Sequence, residues 1–346
     1  MTDLVDSELV DIDALDAWIG DRLPGARCEL AKISGGASNE MFEVHREGHT
    51  WVLRRPPLHP VAPGAHDMSR EFRMLTALEG SDVPHPQPIL LCDDERVIGA
   101  RFYLMERVVG FTPRDPLPLP FHTDPIVRRD MAFRLVDGLA AIACVDWRAS
   151  GLEGYGKPDG FLERQVGRWL SQLERYRTRE IPGLDEVARW LEANRPEGSA
   201  PAIIHGDYQF INVMLAPDPP ARLAAIVDWE QSTIGDPLLD LGWLLAGWSE
   251  EGEPPPLRFG SRYLTDREGL PMRAELAERY ARKTGRDLSH LAYYVVLALF
   301  KLACVLEGSY HRFATGKSAD PMHEKMGPLV LTLGEQAHEV AGTGRI

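Results

Sequence analysis

Two short apolar runs in the second half of the chain, each ending near a carboxylate, constrain its fold most strongly. The first, 203–215, contains Asp207 and, five positions later, Asn212. The second, 223–230, contains Asp228. A single Asp after a strand indicates only a turn. A buried strand that brings an acid to its tip, beside a loop that returns an amide, forms a divalent-metal and general-base site.

The spacing of these motifs resembles that of the aminoglycoside phosphotransferase (APH) and choline-kinase branch of the protein-kinase-like superfamily. His-Gly-Asp at 205–207 stands where protein kinases have His-Arg-Asp, and Asp-Trp-Glu at 228–230 stands where they have Asp-Phe-Gly. The chain is most similar to phosphotransferases related to the kinase-like domain of acyl-CoA dehydrogenase fusions. The resemblance extends from about Ile33 to at least Leu245.

The resemblance implies an α+β, bilobal protein-kinase-like fold. Residues 1–110 would form an N-lobe with a small antiparallel β-sheet and one key helix, ending in a hinge near 105–110. Residues 111–346 would form a larger, mostly α-helical C-lobe that holds the catalytic loop, the metal site and the acceptor-binding helices.

Composition narrows the classes of function. The chain has 346 residues, of which 44% are hydrophobic and 26% charged, so a sizeable core is available. The formal net charge of −14 argues against nonspecific nucleic-acid binding. A helix-turn-helix regulator is disfavoured by this charge and by the lack of a basic recognition helix.

The compartment is expected to be the cytoplasm. The acidic segment 1–6 lacks a signal-peptide layout. The apolar run 291–306 is interrupted by Lys301 and is shorter than the ~18 residues of a membrane span, so we expect a buried helix and no membrane. Four cysteines show no metal or disulfide spacing and are expected to be reduced core residues: Cys28, Cys92, Cys144 and Cys304.

The first β region surrounds a glycine pair. Strands are predicted at 28–33, 41–45 and 50–53, with Ser-Gly-Gly-Ala-Ser-Asn at 34–39. Glycine lets backbone N–H groups approach an anion closely, although an ordinary hairpin turn is the favoured interpretation of the pair on its own. The resemblance places four residues of this segment near nucleotide phosphates: Gly35, Gly36, Ser38 and Asn39.

The third strand ends in two arginines where most relatives have a lysine that holds the α/β-phosphates. Arg54 takes that position, because strand alternation points Arg55 the other way. An arginine can bind phosphate bidentately but is wider than lysine, so the replacement affects phosphate geometry. Glu71, on a helix predicted at 66–79, would correspond to the glutamate that pairs with the strand cation; a surface glutamate is the alternative.

The strand at 101–110 leads to a glycine and matches the hinge between kinase lobes. The resemblance implies that Met105 borders the adenine pocket. It also implies that the Glu106 carbonyl accepts a hydrogen bond from adenine and that the Val108 N–H donates one.

The remainder is predicted to be mostly helical, and Asp236 before a proline is interpreted as a structural helix cap. Apolar residues recur at helical spacing in six segments: 126–143, 161–177, 185–194, 274–283, 288–311 and 322–341.

The resemblance implies ATP- and Mg²⁺-dependent transfer of a phosphoryl group to a hydroxyl of a small molecule. Asp207 would be the catalytic base, and Asn212 and Asp228 would hold Mg²⁺. Arg54, fixed by Glu71, would position the phosphates. Two acceptor classes stay open: an aminoglycoside-like or other cationic alcohol, and a hydroxy acid or hydroxyacyl compound.

The alternative from another class is a pseudokinase that binds nucleotide without turnover. Such a protein is expected to lack one of Asp207, Asn212 and Asp228, and all three are present. Gly206 stands where regulated kinases have the arginine that reads a phosphorylated activation loop, and glycine cannot do so. We therefore expect an enzyme that is active without prior phosphorylation.

Overall fold

The computed structural model describes residues 9–33, 39–58, 66–114, 116–250 and 267–346. The first part is built on an antiparallel sheet and the remainder is helical, so the predicted α+β architecture is confirmed. Gly35, Gly36 and Ser38 lie outside the described residues.

Five strands form the N-terminal sheet, in the order β1-β2-β3-β5-β4, and every neighbouring pair is antiparallel. Their bounds are β1 Glu29–Lys32, β2 Glu40–Arg46, β3 His49–Arg55, β4 Pro88–Cys92 and β5 Phe102–Glu106. The sequence did not predict β4. It is an edge strand that begins with a proline, which is the position in a sheet that tolerates one.

The central strand β3 is buried on both faces, because a helix covers each side of the sheet. Leu53 faces a core formed with α1 (Ile12–Ile19). Val52, on the opposite face, packs in the core that contains α2 (Met68–Leu78). Successive strand residues point to opposite faces, so Arg54 faces α2.

Seven helices follow in the described part of the chain. They are α3 Pro125–Cys144, α4 Gln165–Glu174, α5 Leu184–Ala193, α6 Leu238–Ala246, α7 Arg273–Thr284, α8 Leu291–Ala314 and α9 Pro321–Thr343. Helix α3 begins at a proline capped by Asp124, whose carboxylate accepts the N–H of Ile126 at 2.8 Å. Asp236, interpreted as a helix cap, accepts the Leu238 N–H at 3.1 Å, but the N-cap position of α6 is the next residue, Pro237.

Helix α8 lies at the centre of the helical part, packed between α6 and α9. It has 24 residues, which is longer than the apolar run 291–306 that was judged too short to span a membrane. That argument from length was wrong. Within the described residues it is long and apolar enough to cross a membrane, but 78% of its most apolar window is buried inside the protein. That burial is typical of a core helix.

Two small antiparallel strand pairs carry the two motif segments, 203–215 and 223–230. Strand β6 (Ala202–Ile204) pairs with β9 (Thr233–Gly235), and β7 (Val213–Leu215) pairs with β8 (Leu223–Ile226). The loop between β6 and β7 contains Asp207, and the turn after β8 contains Asp228. Both carboxylates therefore emerge from one compact β substructure.

The cysteines differ from the expectation at one position. Cys28, Cys92 and Cys304 are buried and unpaired, as predicted, whereas Cys144 is exposed. Cys144 is the last residue of α3, where the helix face turns away from the core.

Candidate active site

Asp207 lies in the loop after β6 and is held by three side-chain donors. Its Oδ1 accepts from Gln209 Nε2 at 2.6 Å and from Trp243 Nε1 at 3.1 Å, and its Oδ2 accepts from Asn212 Nδ2 at 2.9 Å. Burial raises the pKa of the Asp207 carboxyl to about 6, against the opposing effects of Lys301 and these amide donors. The carboxylate is oriented and is a base poised close to neutral pH.

Asn212 is fixed by the same loop. Its Nδ2 also donates to the Asp207 backbone carbonyl at 2.7 Å. Because both bonds use the amide nitrogen, Oδ1 is the atom that can coordinate a cation. The Val227 N–H donates to the backbone carbonyl of Asn212 at 2.9 Å. This bond ties the residue before Asp228 to the loop that contains Asp207.

Asp228 adopts the left-handed conformation, with φ 67°, and only Val227 separates it from the end of β8. This conformation is uncommon for a residue other than glycine and concentrates at functional sites. Its Oδ1 accepts from Arg54 Nη2 at 2.5 Å. The turn thus aims the Asp228 carboxylate at the arginine of β3.

Arg54 joins three segments that lie far apart in the sequence. Its Nε donates to Glu71 Oε2 at 3.0 Å, while Glu71 Oε1 accepts the Trp229 N–H at 3.1 Å. Burial alone would lower the pKa of Arg54, but Glu71 and Asp228 outweigh it and the pKa is raised. Burial raises the pKa of Glu71, and Arg54 opposes that rise. The glutamate is buried, so the surface alternative for Glu71 is wrong.

Arg55 points to the other side of the sheet, as strand alternation predicts. It donates to the backbone carbonyls of Leu9 and Ile98. These contacts anchor the outer layer of the sheet, and Arg55 takes no part in the site.

Asn39 lies where β2 begins and is buried. Its Nδ2 donates to Glu230 Oε2 at 2.9 Å. Glu230 also lies 3.8 Å from Arg54 Nη2 and 3.5 Å from His66 Nδ1. The structure therefore links the end of the glycine-containing segment to the Asp-Trp-Glu turn.

The predicted hinge follows β5. Met105 is buried, whereas Glu106 is exposed and its N–H donates to the Gln87 carbonyl at 2.8 Å. Val108 is half-buried. Phe111 then exchanges two backbone hydrogen bonds with Leu215, at 2.9 and 2.8 Å, so the chain reaches the catalytic substructure directly after the hinge.

Asp240 is a site residue that the sequence did not single out. Its Oδ2 accepts the His205 N–H at 2.6 Å and its Oδ1 accepts the Gly206 N–H at 2.9 Å. Burial raises the pKa of Asp240 to about 6, and the two backbone donors oppose that rise. A carboxylate within the apolar run of α6, Leu238–Ala246, was the signal available in the sequence.

The imidazole of His205 holds the loop through two hydrogen bonds. Its Nε2 donates to the Val227 carbonyl at 3.0 Å, and its Nδ1 accepts the Asp207 N–H at 3.3 Å. These two bonds define the neutral imidazole. Burial lowers the pKa of His205 to about 4, in agreement with that tautomer.

Gly206 is required by shape. It has φ 87°, and a Cβ at this position would lie 2.6 Å from the Gln231 carbonyl oxygen. The left-handed backbone and the close approach both exclude a larger residue. This gives a steric reason for glycine where regulated kinases have arginine.

Lys301 reaches the loop from α8 and was also missed. Its Nζ donates to the Gly206 carbonyl at 2.8 Å and lies 4.3 Å from the Trp243 ring centroid and 5.6 Å from that of Trp169. Burial lowers the pKa of Lys301, and Asp207 and Asp240 oppose that effect. No local motif indicates this residue, because it lies 95 positions after Gly206.

The oxygen donors fit a magnesium ion. In the described ranges no three His, Cys, Asp or Glu side chains form a metal cluster. The pair formed by Asn212 Oδ1 and the Asp228 carboxylate is instead suited to Mg²⁺, which binds through one or two protein oxygens, substrate phosphates and water.

A base and an amide joined by a hydrogen bond, a carboxylate on the neighbouring turn, and an ion pair from β3 to α2 define a phosphotransferase of the protein-kinase-like class. The chain belongs to the APH phosphotransferase enzyme family, whose model matches residues 29–279. The members of this family are phosphotransferase enzymes, which places the chain in that class of enzyme.

Solved structures agree with the family. A proposed aminoglycoside phosphotransferase from Ralstonia eutropha superposes with a TM-score of 0.83 and 32% identity, over 95% of this chain and 98% of that one. The choline kinase of Cryptosporidium parvum superposes with a TM-score of 0.64 over 96% and 97% of the two chains. At 12% identity, the second comparison shows the fold alone.

Acyl-CoA dehydrogenase family member 11 of Rattus norvegicus is 32% identical over 318 residues, covering 89% of this chain. The probable acyl-CoA dehydrogenase IBR3 of Arabidopsis thaliana is 28% identical over 95% of this chain. The chain spans about two-fifths of the length of these relatives.

Proposed function

We propose that this chain transfers the γ-phosphate of ATP to a hydroxyl group of a small molecule, with Mg²⁺ as the metal ion. Aminoglycoside phosphotransferase APH(4)-Ia, which has the same fold, is described in complex with ADP and hygromycin B. We place the reaction in the cytoplasm, in keeping with the free thiols of the four cysteines.

The observation that supports the proposal best is the hydrogen bonding that connects Asp207, Asn212 and the backbone next to Asp228. Asn212 contacts Asp207 directly, and its carbonyl holds the residue before Asp228.

Each residue has a defined task in this mechanism. Asp207 orients the acceptor hydroxyl and takes its proton, while Arg54, braced by Glu71, contacts the donor phosphates. Asn212 and Asp228 would hold Mg²⁺, which would offset charge on the phosphate oxygens. The segment from Gly35 to Asn39 is proposed to cover the phosphates, and Met105, Glu106 and Val108 to border the adenine.

The surroundings of Asp207 favour a hydroxy acid or hydroxyacyl compound as acceptor over a cationic alcohol. Lys301 already fills the space between Trp169 and Trp243, where a substrate cation would otherwise find aromatic faces. The guanidinium of Arg168 lies 4.9 Å from the centroid of the Trp169 ring, one of the two rings near Lys301. The cation beside the base, Lys301, repels a cationic substrate and attracts a carboxylate or a polarised acyl group.

The proposal is tested by an acceptor screen with Mg²⁺ and ATP, which scores ADP release and the gain of one phosphate by mass spectrometry. The panel contains hydroxy acids, hydroxyacyl thioesters and aminoglycosides. Asp207→Asn and Asp228→Asn are expected to lose on the order of 10²-fold or more in turnover. Asp218→Asn, the same change at an exposed position, serves as the control.

Turnover like that of the wild type in Asp207→Asn would contradict the site assignment. An aminoglycoside as the best acceptor would contradict the preferred substrate class alone. Mg²⁺-dependent stabilisation by ATP, without phosphate transfer to any acceptor or to water, would favour the pseudokinase alternative.

A further inference from the structure

The peptide group between Gly206 and Asp207 is held from both sides. Its N–H, on Asp207, donates to His205 Nδ1 at 3.3 Å, and its carbonyl, on Gly206, accepts from Lys301 Nζ at 2.8 Å. The orientation of this peptide plane sets the direction in which the Asp207 side chain leaves the backbone. His205 belongs to the loop motif, whereas Lys301 comes from α8.

Lys301 is an unusual residue for such a place, because it is 7% exposed and sits within the apolar helix α8. Burying a lysine ammonium lowers the stability of the fold unless the charge is paired and hydrogen-bonded. Its compensation comes from Asp207, Asp240 and the faces of two tryptophan rings. Each of these carboxylates contacts the catalytic loop, so the cation is built into the site.

Trp243 connects the same cation to the base. Its ring lies against Lys301 Nζ, and its Nε1 donates to Asp207 Oδ1 at 3.1 Å. A change at Lys301 therefore reaches the carboxylate by two routes: the Gly206 carbonyl and the Trp243 indole.

We propose that Lys301 is a positioning residue for phosphoryl transfer, which acts by fixing the Gly206–Asp207 peptide and the Trp243 indole so that the Asp207 carboxylate faces the acceptor. Lys301 touches neither nucleotide nor metal in this role. The inference rests on the proposed function, because it concerns the base of that reaction.

Lys301→Met is the informative variant, since methionine keeps most of the length and loses the charge and the N–H donors. A misplaced base is expected to lower kcat for ADP release on the order of 10²-fold, with the KM for ATP within about twofold of wild type. Water is the acceptor in this assay, so no acceptor has to be identified. Lys325→Met, an exposed lysine on α9, is the matched control.

Lys301→Arg keeps the charge and a donor for the Gly206 carbonyl, and it is expected to recover at least tenfold of the kcat lost in Lys301→Met. Thermal unfolding checks that each variant is folded. If the methionine variant is unfolded, Lys301→Gln replaces it, with the same expectation of lowered kcat and unchanged KM for ATP.

Three outcomes would overturn the proposal. They are a kcat like that of wild type in the uncharged variant, a KM for ATP that rises as much as kcat falls, and an arginine variant as slow as the uncharged one. ADP release absent from wild type with every acceptor and with water contradicts the proposed function instead, so the two failures are distinguishable.

Discussion

At the scale of single residues, the arginine of β3 does what a lysine cannot. Arg54 uses Nε for Glu71 and Nη2 for Asp228, so one planar group bridges α2 and the Asp-Trp-Glu turn. A lysine ammonium has donors at a single point and a shorter reach. The arginine therefore couples the position of α2 to the direction of the Asp228 carboxylate.

Arg54→Lys is expected to weaken ATP binding about tenfold, because one of two charge-assisted hydrogen bonds is lost. Isothermal titration with ATP and Mg²⁺ measures the change. Arg96→Lys, at an exposed position, is the control. Affinity equal to that of the wild type in Arg54→Lys would show that the bridge does not organise the nucleotide site.

His205 makes stability depend on pH. Its folded-state pKa of about 4 lies below the ordinary value of 6.5, so the unfolded chain takes up the proton first as pH falls. The stabilisation is complete above pH 6.5 and is lost as pH falls towards 4. Asp207 and Asp240, with pKa values raised to about 6, act in the opposite direction, so only a comparison with a His205 variant isolates the effect.

His205→Gln is expected to be less stable than wild type at pH 8, and the difference between the two proteins should shrink by about 2 kcal/mol at pH 5. Urea unfolding at both pH values measures it. A difference in the free energy of unfolding that stays constant between pH 8 and pH 5 would refute the link to His205.

At the scale of elements, α2 is clamped to the helical part of the protein. Arg70 donates to the Tyr155 carbonyl at 2.6 Å and to the Ser232 carbonyl at 2.9 Å, and its guanidinium lies 3.7 Å from the Tyr155 ring centroid. Ser232 in turn shares a 2.7 Å hydrogen bond with the Tyr155 hydroxyl. The helix that presents Glu71 is thereby fixed next to the Asp-Trp-Glu turn.

Arg70→Gln is expected to lower kcat/KM for ATP about tenfold, because α2 loses both carbonyl contacts and Glu71 no longer holds Arg54 steadily. Hydrogen exchange of the α2 amides should accelerate while the core of α8 stays protected. Arg189→Gln, on the exposed face of α5, serves as the control. Unchanged exchange in α2 would show that the clamp is dispensable.

Elements and local motifs could be predicted from the sequence because they depend on periodicity and short spacing. Asp207, Asn212 and Asp228 fall within one span of the chain, and strand alternation separates Arg54 from Arg55. Three other site residues were not predicted, because only the tertiary fold brings them to the loop: Asp240, Trp243 and Lys301. The edge strand β4 was not predicted for a different reason: a proline at its start argues against a strand in the sequence.

At the scale of the whole molecule, the segment after Asp228, which corresponds to the mobile activation loop of regulated kinases, is short and held by backbone hydrogen bonds. The segment after Asp228 forms one 3-10 turn, Trp229–Gln231, and then β9, which pairs with β6. Gly206 cannot bind a phosphorylated side chain and cannot be enlarged without meeting Gln231. With α2 clamped as well, the catalytic arrangement forms without an added charge.

The enzyme is therefore expected to be fully active without phosphorylation. Protein expressed in bacteria is treated with a broad-specificity phosphatase, its intact mass is measured, and ADP release with Mg²⁺ and ATP is compared before and after. Heat-inactivated phosphatase is the control. Because the donors described for Asp207, Glu71 and Asp228 are amide, indole, guanidinium and backbone N–H groups, which carry no phosphate ester, the rates should agree within about twofold. A phosphatase-sensitive loss of activity, restored by rephosphorylation, would mean that the described arrangement is insufficient for turnover.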